Sequence, residues 1–509
     1  MNLIKSTGTF SFYTILSRIL GYLRDFFIAL NLGSGPVTDA FFVAFRIPNT
    51  FRRLFSEGTF NAAFVPSYSS ELAISRKNAQ NFSNQIFNYL TFGLLGVTLF
   101  VEILMPVFIY LIAPGFNEDN TKLELTILLT RITFPFLFFI SLASFFSAIL
   151  NSHNRFGVAA AAPIVLNIIL ILILIFLKNE NDSIVIYLSY GVALAGLLQL
   201  IFLYFFVKKY FSPKIKFSFT VTKKIKFFFT KLIPSIFSSG VTQINILVGT
   251  IIASFQANAV SYLYYADRIY QINLAIAGIA IGTVLLPTLS KHIKTKNQKK
   301  IDFIQNKSIE LCIFLSLPAM FALLIASKEI TSSLFGYGSF SIISVENSAI
   351  ALFYFAFGLP AFALIKIFST FLFARHNTKA PFYFSLVSVL TNILISVIFF
   401  NKIGFIIIPI STTISSWINT LILFIYICKK DYYQINYNII FSFLKISCSS
   451  ILSSYFFYFL IDRFSENLDY YSDYKLFFIL FIILLTFFMY IFVSVITKAF
   501  KFSDIKLKY

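Results

Sequence analysis

Runs of twenty or more apolar residues recur along the whole of this 509-residue chain. Each run is long enough to cross a hydrocarbon core of about 30 Å at about 1.5 Å per helical residue. Because hydrocarbon offers no partner for backbone N–H and C=O groups, such runs predict transmembrane α-helices. With 58% hydrophobic and 12% charged residues, the chain also lacks the polar surface of a soluble protein. The sequence therefore predicts an all-α polytopic membrane protein.

The apolar runs divide into about fourteen predicted transmembrane helices. They cover residues 8–32, 37–58, 85–112, 123–150, 158–177, 184–207, 228–255, 260–290, 307–334, 346–373, 380–400, 405–428, 438–461 and 475–497. The connections between them are short, which argues against an appended soluble catalytic domain.

Basic and acidic residues alternate between these connections. Lys and Arg concentrate at 76–77, 208–226 and 291–307, whereas Asp and Glu concentrate at 118–119 and 462–473. Because cytoplasmic loops carry the excess of Lys and Arg, the basic set is predicted to be cytoplasmic, and so are both termini. The formal net charge of +20 lies mostly in these loops, so membrane lipids, and not nucleic acid, are the expected partners.

A weak internal repeat has an offset near 222 residues. Arg46 precedes Pro66 by about twenty residues, as Arg268 precedes Pro287, and His153-Asn154 is echoed by His376-Asn377. Repeated halves of this kind are typical of transporters. We predict two pseudo-symmetric six-helix lobes plus two C-terminal helices: an N-lobe at 1–207, a basic cytoplasmic linker at 208–227, a C-lobe at 228–428, and two further helices with a cytoplasmic tail at 429–509.

Charged residues inside the predicted spans are the candidate functional groups, because each costs about 2.5–3.5 kcal/mol at mid-bilayer and so should face protein or water. They are Arg18, Arg24, Asp25, Asp39, Arg46, Arg52, Arg53, Glu57, Asp267 and Arg268. In helical geometry Asp39, Arg46 and Arg53 share one stripe, since they lie seven residues apart.

Two interpretations of these charges remain. Buried ion pairs that hold helices together suit Asp25, Glu57 and Asp267. The arginines outnumber the carboxylates, however, and a guanidinium fork binds diphosphate in bidentate fashion, which makes a polyanion the expected ligand of Arg18, Arg24, Arg52 and Arg268. For Arg46 and Arg53 both interpretations stand, while Arg131 and Lys366 are either cavity groups or cations that snorkel to the interface.

The sequence shows no catalytic constellation. It has no Walker motif or Gly-rich phosphate loop, and its three cysteines, Cys312, Cys428 and Cys448, lack metal-ligand spacing. We therefore predict a protein that is not an enzyme, with no metal and no cofactor, whose transport is driven by the membrane potential or by a sodium or proton gradient.

Several motifs resemble the MurJ (MviN) family of lipid II flippases. They include Ser17-Arg18-Ile19-Leu20-Gly21-Tyr22-Leu23-Arg24-Asp25, Thr38-Asp39-Ala40-Phe41-Phe42-Val43-Ala44-Phe45-Arg46-Ile47-Pro48-Asn49, Arg52-Arg53-Leu54-Phe55-Ser56-Glu57-Gly58, Ala113-Pro114-Gly115-Phe116 and Tyr264-Tyr265-Ala266-Asp267-Arg268. The resemblance covers nearly the whole chain. It departs at Tyr270-Gln271-Ile272-Asn273, which lacks an expected proline, and at Ser369-Thr370-Phe371, where the family tends to have Pro-Gly-Phe.

The resemblance implies the fold of the multidrug/oligosaccharidyl-lipid/polysaccharide (MOP) exporter superfamily, with two lobes around a cationic cavity and alternating access. It implies that the chain flips lipid II, an undecaprenyl-diphosphate-linked disaccharide peptide, across the bacterial cytoplasmic (inner) membrane, with the cell-wall synthesis machinery as a further partner. The implied substrate-binding residues are Arg18, Arg24, Asp39, Arg52 and Arg268, with Asp25, Arg46, Arg53, Glu57 and Asp267 as secondary cavity candidates.

Two alternatives remain at this level. A MOP-type exporter of another polyprenyl-linked glycan would share the helical bundles and the need for diphosphate. A membrane glycosyltransferase that polymerises lipid II would also bind diphosphate, but it should carry a large outward loop with a catalytic carboxylate. A purely structural role leaves the surplus of arginines unexplained.

Overall fold

A computed structural model describes residues 3–56, 59–178, 183–217, 222–434 and 436–499. Glu57 therefore lies outside the described residues, and of Arg52 and Arg53 only the helical backbone is described. In these ranges the regular structure is helical and contains no β-strand, which confirms the all-α prediction.

The helices are numbered in chain order. Those of the first half are α1 (Leu3–Leu32), α2 (Pro36–Ser56), α3 (Thr59–Ile74), α4 (Arg76–Ile103), α5 (Met105–Ile112), α6 (Asn120–Thr133), α7 (Pro135–Ser152), α8 (Phe156–Phe176), α9 (Ile184–Val207) and α10 (Lys223–Ala253). Those of the second half are α11 (Ala259–Leu274), α12 (Ile281–Lys294), α13 (Gln298–Phe335), α14 (Ile342–Ala356), α15 (Leu359–Phe373), α16 (Lys379–Ile403), α17 (Ile407–Lys429), α18 (Tyr437–Arg463) and α19 (Lys475–Ile496). A π-helical turn, Ala275–Ala280, joins α11 to α12.

Among the described residues, nine helical stretches are long and apolar enough to cross a membrane, or ten if α14 and α15, bent by 46°, count as one span. Every predicted span falls on one or more of the helices, but the count of fourteen stays a prediction. The helix α3 (Thr59–Ile74) was not predicted as a separate element, because its asparagine, proline, serines and glutamate interrupt the apolar run.

The chain divides into two compact units, Met1–Ser261 and Tyr262–Tyr509. In the first unit α1 packs on α8, α2 on α6, α7 on α9, and α3 on α10. In the second unit α13 packs against α14, α15 and α18, and α16 packs on α17. Helix α10, which was predicted to begin the C-lobe, thus packs within the first unit, and the lobe boundaries at 207, 227 and 428 stay predictions.

Prolines account for two breaks in the first unit. Leu104 separates α4 from α5, and Phe134 separates α6 from α7, with Pro106 and Pro135 in the first turn of the helix that follows. A proline has no N–H to donate to the carbonyl four residues earlier and clashes with it, so the preceding helix ends there. Met105 and Phe134, one from each break, are buried in the same core cluster.

The loop between α5 and α6 explains one sequence motif. Gly115 lies so close to the end of α10 that an added Cβ would stand 2.3 Å from the Ser254 carbonyl oxygen and 2.4 Å from the Phe255 amide nitrogen. The Gly115 N–H donates to Ser254 Oγ at 3.0 Å. Because both clashing atoms belong to the backbone, only glycine fits without a shift of α10.

Gly115→Ala is therefore expected to destabilise the protein by about 1–3 kcal/mol, the usual cost of overpacking. The measurement is the thermal unfolding midpoint of the purified protein in detergent. Gly93→Ala is the matched control, since its added Cβ would meet nothing within 4 Å. Equal midpoints for the two variants would show that the loop moves away from α10 without cost.

Local geometry supports the predicted repeat. Asn154 and His376, 222 residues apart, both adopt left-handed backbone angles, with φ of 58° and 59°. Each lies in the loop that follows a transmembrane segment and precedes α8 or α16. An arginine of the loop donates to Tyr210 Oη at 3.3 Å in the first unit and to the Tyr432 carbonyl at 2.9 Å in the second. The two tyrosines are also 222 residues apart, although the arginines, Arg155 and Arg375, are 220 apart and bond a hydroxyl in one unit and a backbone carbonyl in the other.

Candidate functional site

Arg24 and Asp25 form a buried ion pair at the centre of the first candidate site. Arg24 donates to Asp25 Oδ1 from Nη2 at 2.6 Å and from Nε at 3.0 Å. Its Nη1 donates to Asn167 Oδ1 on α8 at 3.0 Å. The Arg24 guanidinium also lies 5.5 Å from the ring centroid of Phe45 on α2. One arginine therefore links α1 to both α8 and α2.

The packing of α1 on α8 positions this arginine. Asn167 donates from Nδ2 to the carbonyl of Ser17 at 2.9 Å, so its amide bridges the α1 backbone and the guanidinium. An added Cβ on Gly21 would lie only 3.7 Å from Asn167 Nδ2, which shows how closely the helices approach. Arg24 is 7% exposed, a low value that only a satisfied guanidinium tolerates in a membrane helix.

A second buried cluster surrounds Asp39 in the first turn of α2. Its Oδ2 accepts from Lys122 Nζ at 2.8 Å, while Oδ1 accepts from the backbone N–H and the hydroxyl of Ser261 at 2.8 and 2.7 Å. Asp39 is 0% exposed, and the ammonium of Lys122 lies 3.9 Å from the ring centroid of Phe116. Both carboxylate oxygens are thus occupied by the protein, which favours a role in positioning α2 against α6.

Lys122 reaches Asp39 because of the way α6 begins. Asp119 caps this helix and accepts from Thr121 Oγ1 at 2.6 Å and from the Lys122 N–H at 3.1 Å. The hydrogen bond from the Thr121 hydroxyl, followed by that from the Lys122 amide, holds the pKa of Asp119 below its usual value. The cap fixes the first turn of α6 and with it the direction of the Lys122 side chain.

The other candidates of the first unit are not gathered at Arg24. Arg46 donates from Nη1 to Thr250 Oγ1 on α10 at 2.5 Å, and Arg18 is exposed on α1. Asp25 follows Arg18 by seven residues, a spacing that places two residues on the same side of a helix, yet Arg18 is exposed and Asp25 is buried. The described residues thus bring together Arg24, Asp25 and Asn167, and the predicted stripe from Asp39 to Arg46 contacts α6, α10 and the start of α11.

In the second unit Asp267 and Arg268 lie half-buried on α11. Arg268 donates from Nη2 to Tyr264 Oη at 2.9 Å, and its guanidinium carbon lies 4.5 Å from the Tyr264 ring centroid. Asp267 accepts through Oδ2 from Gln271 Nε2, one turn along the same helix. Being adjacent in a helix, the two charged residues point about 100° apart, and these hydrogen bonds go to different partners.

The orientation of Arg24 and Arg268 suits the binding of a phosphate group and not the catalysis of a reaction. An arginine presents five N–H donors in a fixed plane, and the three hydrogen bonds of Arg24 use one from each nitrogen. Two N–H groups, one on each terminal nitrogen, therefore remain for a ligand oxygen. Arg268 is likewise oriented by a tyrosine that both accepts its hydrogen bond and faces its cationic plane.

Neither Lys122 nor Asn167 is among the candidate residues predicted from the sequence. A lysine in the first turn of a helix opposes the helix dipole, so its presence there is a signal that a carboxylate lies nearby. Asn167 offers a comparable signal, because an amide inside a run of leucine and isoleucine needs a buried partner. Neither signal identifies the partner, which in both cases lies more than eighty residues away in sequence.

A model of the family described as lipid II flippase MurJ matches residues 28–482. A relative from Rhizobium meliloti (strain 1021), described as a probable lipid II flippase MurJ, is 40% identical over 432 residues, or 83% of this chain and 80% of that protein. A relative from Rickettsia prowazekii (strain Madrid E) with the same description is 37% identical over 452 residues, or 89% of this chain and 88% of that protein.

Solved structures agree with these relatives. The structure described as lipid II flippase MurJ in an inward closed conformation has a TM-score of 0.82 and 27% identity, covering 96% of this chain and 98% of that one. An inward-facing MATE family transporter of the MOP superfamily has a TM-score of 0.63 and 15% identity, and the match covers 81% of this chain and 94% of that one. The latter likeness concerns the fold alone.

Proposed function

We propose, on the premise that this chain belongs to the lipid II flippase MurJ family, that it moves lipid II from the inner to the outer leaflet of the cytoplasmic membrane by alternating access. The observation that carries the proposal is the family match over residues 28–482 of a multi-pass helical chain. The chain is accordingly a transporter and not an enzyme.

The diphosphate of lipid II is the part of the substrate that the arginines would bind. A diphosphate cannot cross hydrocarbon without compensating charge, and a preorganised guanidinium supplies that charge with directed hydrogen bonds. We assign this role to Arg24 first, because its plane is fixed by Asp25 and Asn167. Arg18, Arg52 and Arg268 are proposed as further diphosphate ligands, while the contacts of Asp39 favour positioning over direct binding.

Location and energy supply complete the proposal. Both termini are assigned to the cytoplasm of a bacterium on the strength of the basic connections at 76–77, 208–226 and 291–307. Transport would need no bound cofactor, and the membrane potential or an ion gradient would reset the empty carrier. The cell-wall synthesis machinery that consumes lipid II is the proposed protein partner.

The test is rescue of a bacterium depleted of its own lipid II flippase. We expect the wild-type chain to restore growth, Arg268→Ala to fail, and Arg463→Ala, which removes an exposed arginine at the end of α18, to restore growth like the wild type. All three must reach the same membrane abundance. A wild-type chain that is well expressed but fails to rescue would contradict the lipid II assignment and favour export of another polyprenyl-linked glycan.

A further inference from the structure

Glu102 is a carboxylate inside a membrane helix that the proposed diphosphate site leaves unused. It lies one residue before the end of α4, and its Oε1 is buried without a hydrogen-bond partner. One turn earlier on the same helix, the hydroxyl of Thr98 is also buried and unpartnered. Both are buried oxygen atoms without a hydrogen-bond partner among the described residues, an arrangement that stays costly unless a ligand completes it.

The prolines leave two backbone carbonyl oxygens without their usual helical donor beside the neighbouring breaks. Pro106 follows Glu102 by four residues and Pro135 follows Arg131 by four, so the backbone carbonyls of Glu102 and Arg131 both lack their helical donor. The two breaks pack together, since the rings of Phe108 and Phe134 are 6.1 Å apart and Met105 is buried with Phe134. We name Thr98, Glu102 and Arg131 with these carbonyls the break site.

The break site lies within helices that are long and apolar enough to cross a membrane. Arg131 follows the start of α6 at Asn120 by eleven residues, which is about 16 Å of helix, or roughly half the thickness of a hydrocarbon core. Its side chain is exposed, and it is the charged group that acts electrostatically on Glu102. Within the described part of the chain the two form no ion pair at 4.0 Å or less, so Glu102 is only partly compensated.

The helices packed against α4 bring little other charge to this level. Tyr110 is the titratable side chain of α5, and α7 has none. Helices α3 and α10 carry theirs beside the opposite end of α4, about 40 Å away along its axis, where Glu71 accepts from Lys224 at 2.6 Å. Among the residues described, Arg131 is therefore the charged side chain that acts on Glu102, beside the burial of the carboxylate itself.

We propose that the break site binds one proton on the carboxylate of Glu102, and that this proton is coupled to transport. Because Glu102 Oε1 has no hydrogen-bond donor among the described residues, a proton on the carboxylate would remove a buried charge that the protein leaves uncompensated. Binding takes a proton from water onto the carboxylate, so the net charge of Glu102 and Arg131 rises from zero to plus one. A charge change inside a membrane-spanning segment responds to the membrane potential. The coupling, but not the proton site, rests on the proposed function.

Infrared titration of the purified protein in lipid tests the site without any need for flipping. We expect a carboxylic C=O band that appears as pH falls, is lost in Glu102→Gln and persists in Glu124→Gln, which alters an exposed carboxylate on α6. Arg131→Gln should move the titration to higher pH, because the counter-charge that favours the ionised form is gone. A band unaffected by Glu102→Gln, or one that responds to sodium at constant pH, would overturn the proposal.

Flipping in proteoliposomes tests the coupling. The wild-type rate should change with pH by up to about tenfold per unit, as the protonated fraction does, while Glu102→Gln should be insensitive. Retention of the wild-type pH profile by Glu102→Gln overturns the coupling. Flipping by a protein that lacks the titrating band overturns the site and leaves the proposed function standing. A titrating band in a chain that flips no lipid II leaves the proton site standing and removes the function.

Discussion

Arg24→Ala is expected to abolish rescue of the flippase-depleted bacterium and to destabilise the protein by about 3–5 kcal/mol. The arginine makes two hydrogen bonds to Asp25 and one to Asn167, all at 3.0 Å or less. Its removal takes from the Asp25 carboxylate, whose side chain is 4% exposed, two hydrogen bonds and a charged partner. Growth at matched membrane abundance and the thermal unfolding midpoint of the purified protein measure the two effects.

A second variant separates binding from stability. Arg24→Met combined with Asp25→Leu removes both charges at once, and replacing a buried ion pair by apolar side chains of similar volume is often neutral. We therefore expect the double variant to regain stability while rescue still fails, because the diphosphate has lost its ligand. Full rescue by a stable double variant would contradict the ligand role and leave Arg24 as a packing group.

Apolar run length predicts most of the helices, because a run must end where the chain meets the interface. The predicted span 184–207 coincides with α9 (Ile184–Val207), and its flanking polar residues explain the agreement. Helix α3 was missed for the converse reason. Its Asn61, Pro66 and Glu71 interrupt the apolar run, so the sequence does not predict a membrane span there. Packing on α10 stabilises this segment as a helix.

The candidate site was predictable in its residue types but not in its pairings. A charged side chain inside a bilayer is unfavourable in free energy unless it has a partner. This identifies Arg24, Asp25 and Asp39 as candidates from the sequence. Which partner each finds depends on the packing of helices that are distant in sequence. Arg24 contacts Asn167 on α8, and Asp39 contacts Lys122 on α6. One sequence has no local pattern that records such contacts.

Removal of the positive charge of Lys122 is expected to cause the second large loss of stability. Lys122→Met leaves Asp39, 0% exposed, with only the two hydrogen bonds from Ser261, and we expect a loss of stability of about 3–5 kcal/mol. Asp39→Asn should cost a similar amount, because it leaves the ammonium against the Phe116 ring without its carboxylate. Lys178→Met, which alters an exposed lysine of the same unit, should leave the unfolding midpoint unchanged.

Combining Asp39→Asn with Lys122→Met tests whether this ion pair serves only to hold α2 against α6. If the ammonium and carboxylate stabilise mainly each other, Asp39→Asn with Lys122→Met should be more stable than the sum of the single changes predicts, by about 1–3 kcal/mol in a double-mutant cycle. We expect rescue to return with stability, since both oxygens of Asp39 already bind protein groups. A double variant that is stable but does not rescue would instead support the substrate contact that the motif resemblance implies, because stability alone would then fail to account for the requirement for Asp39.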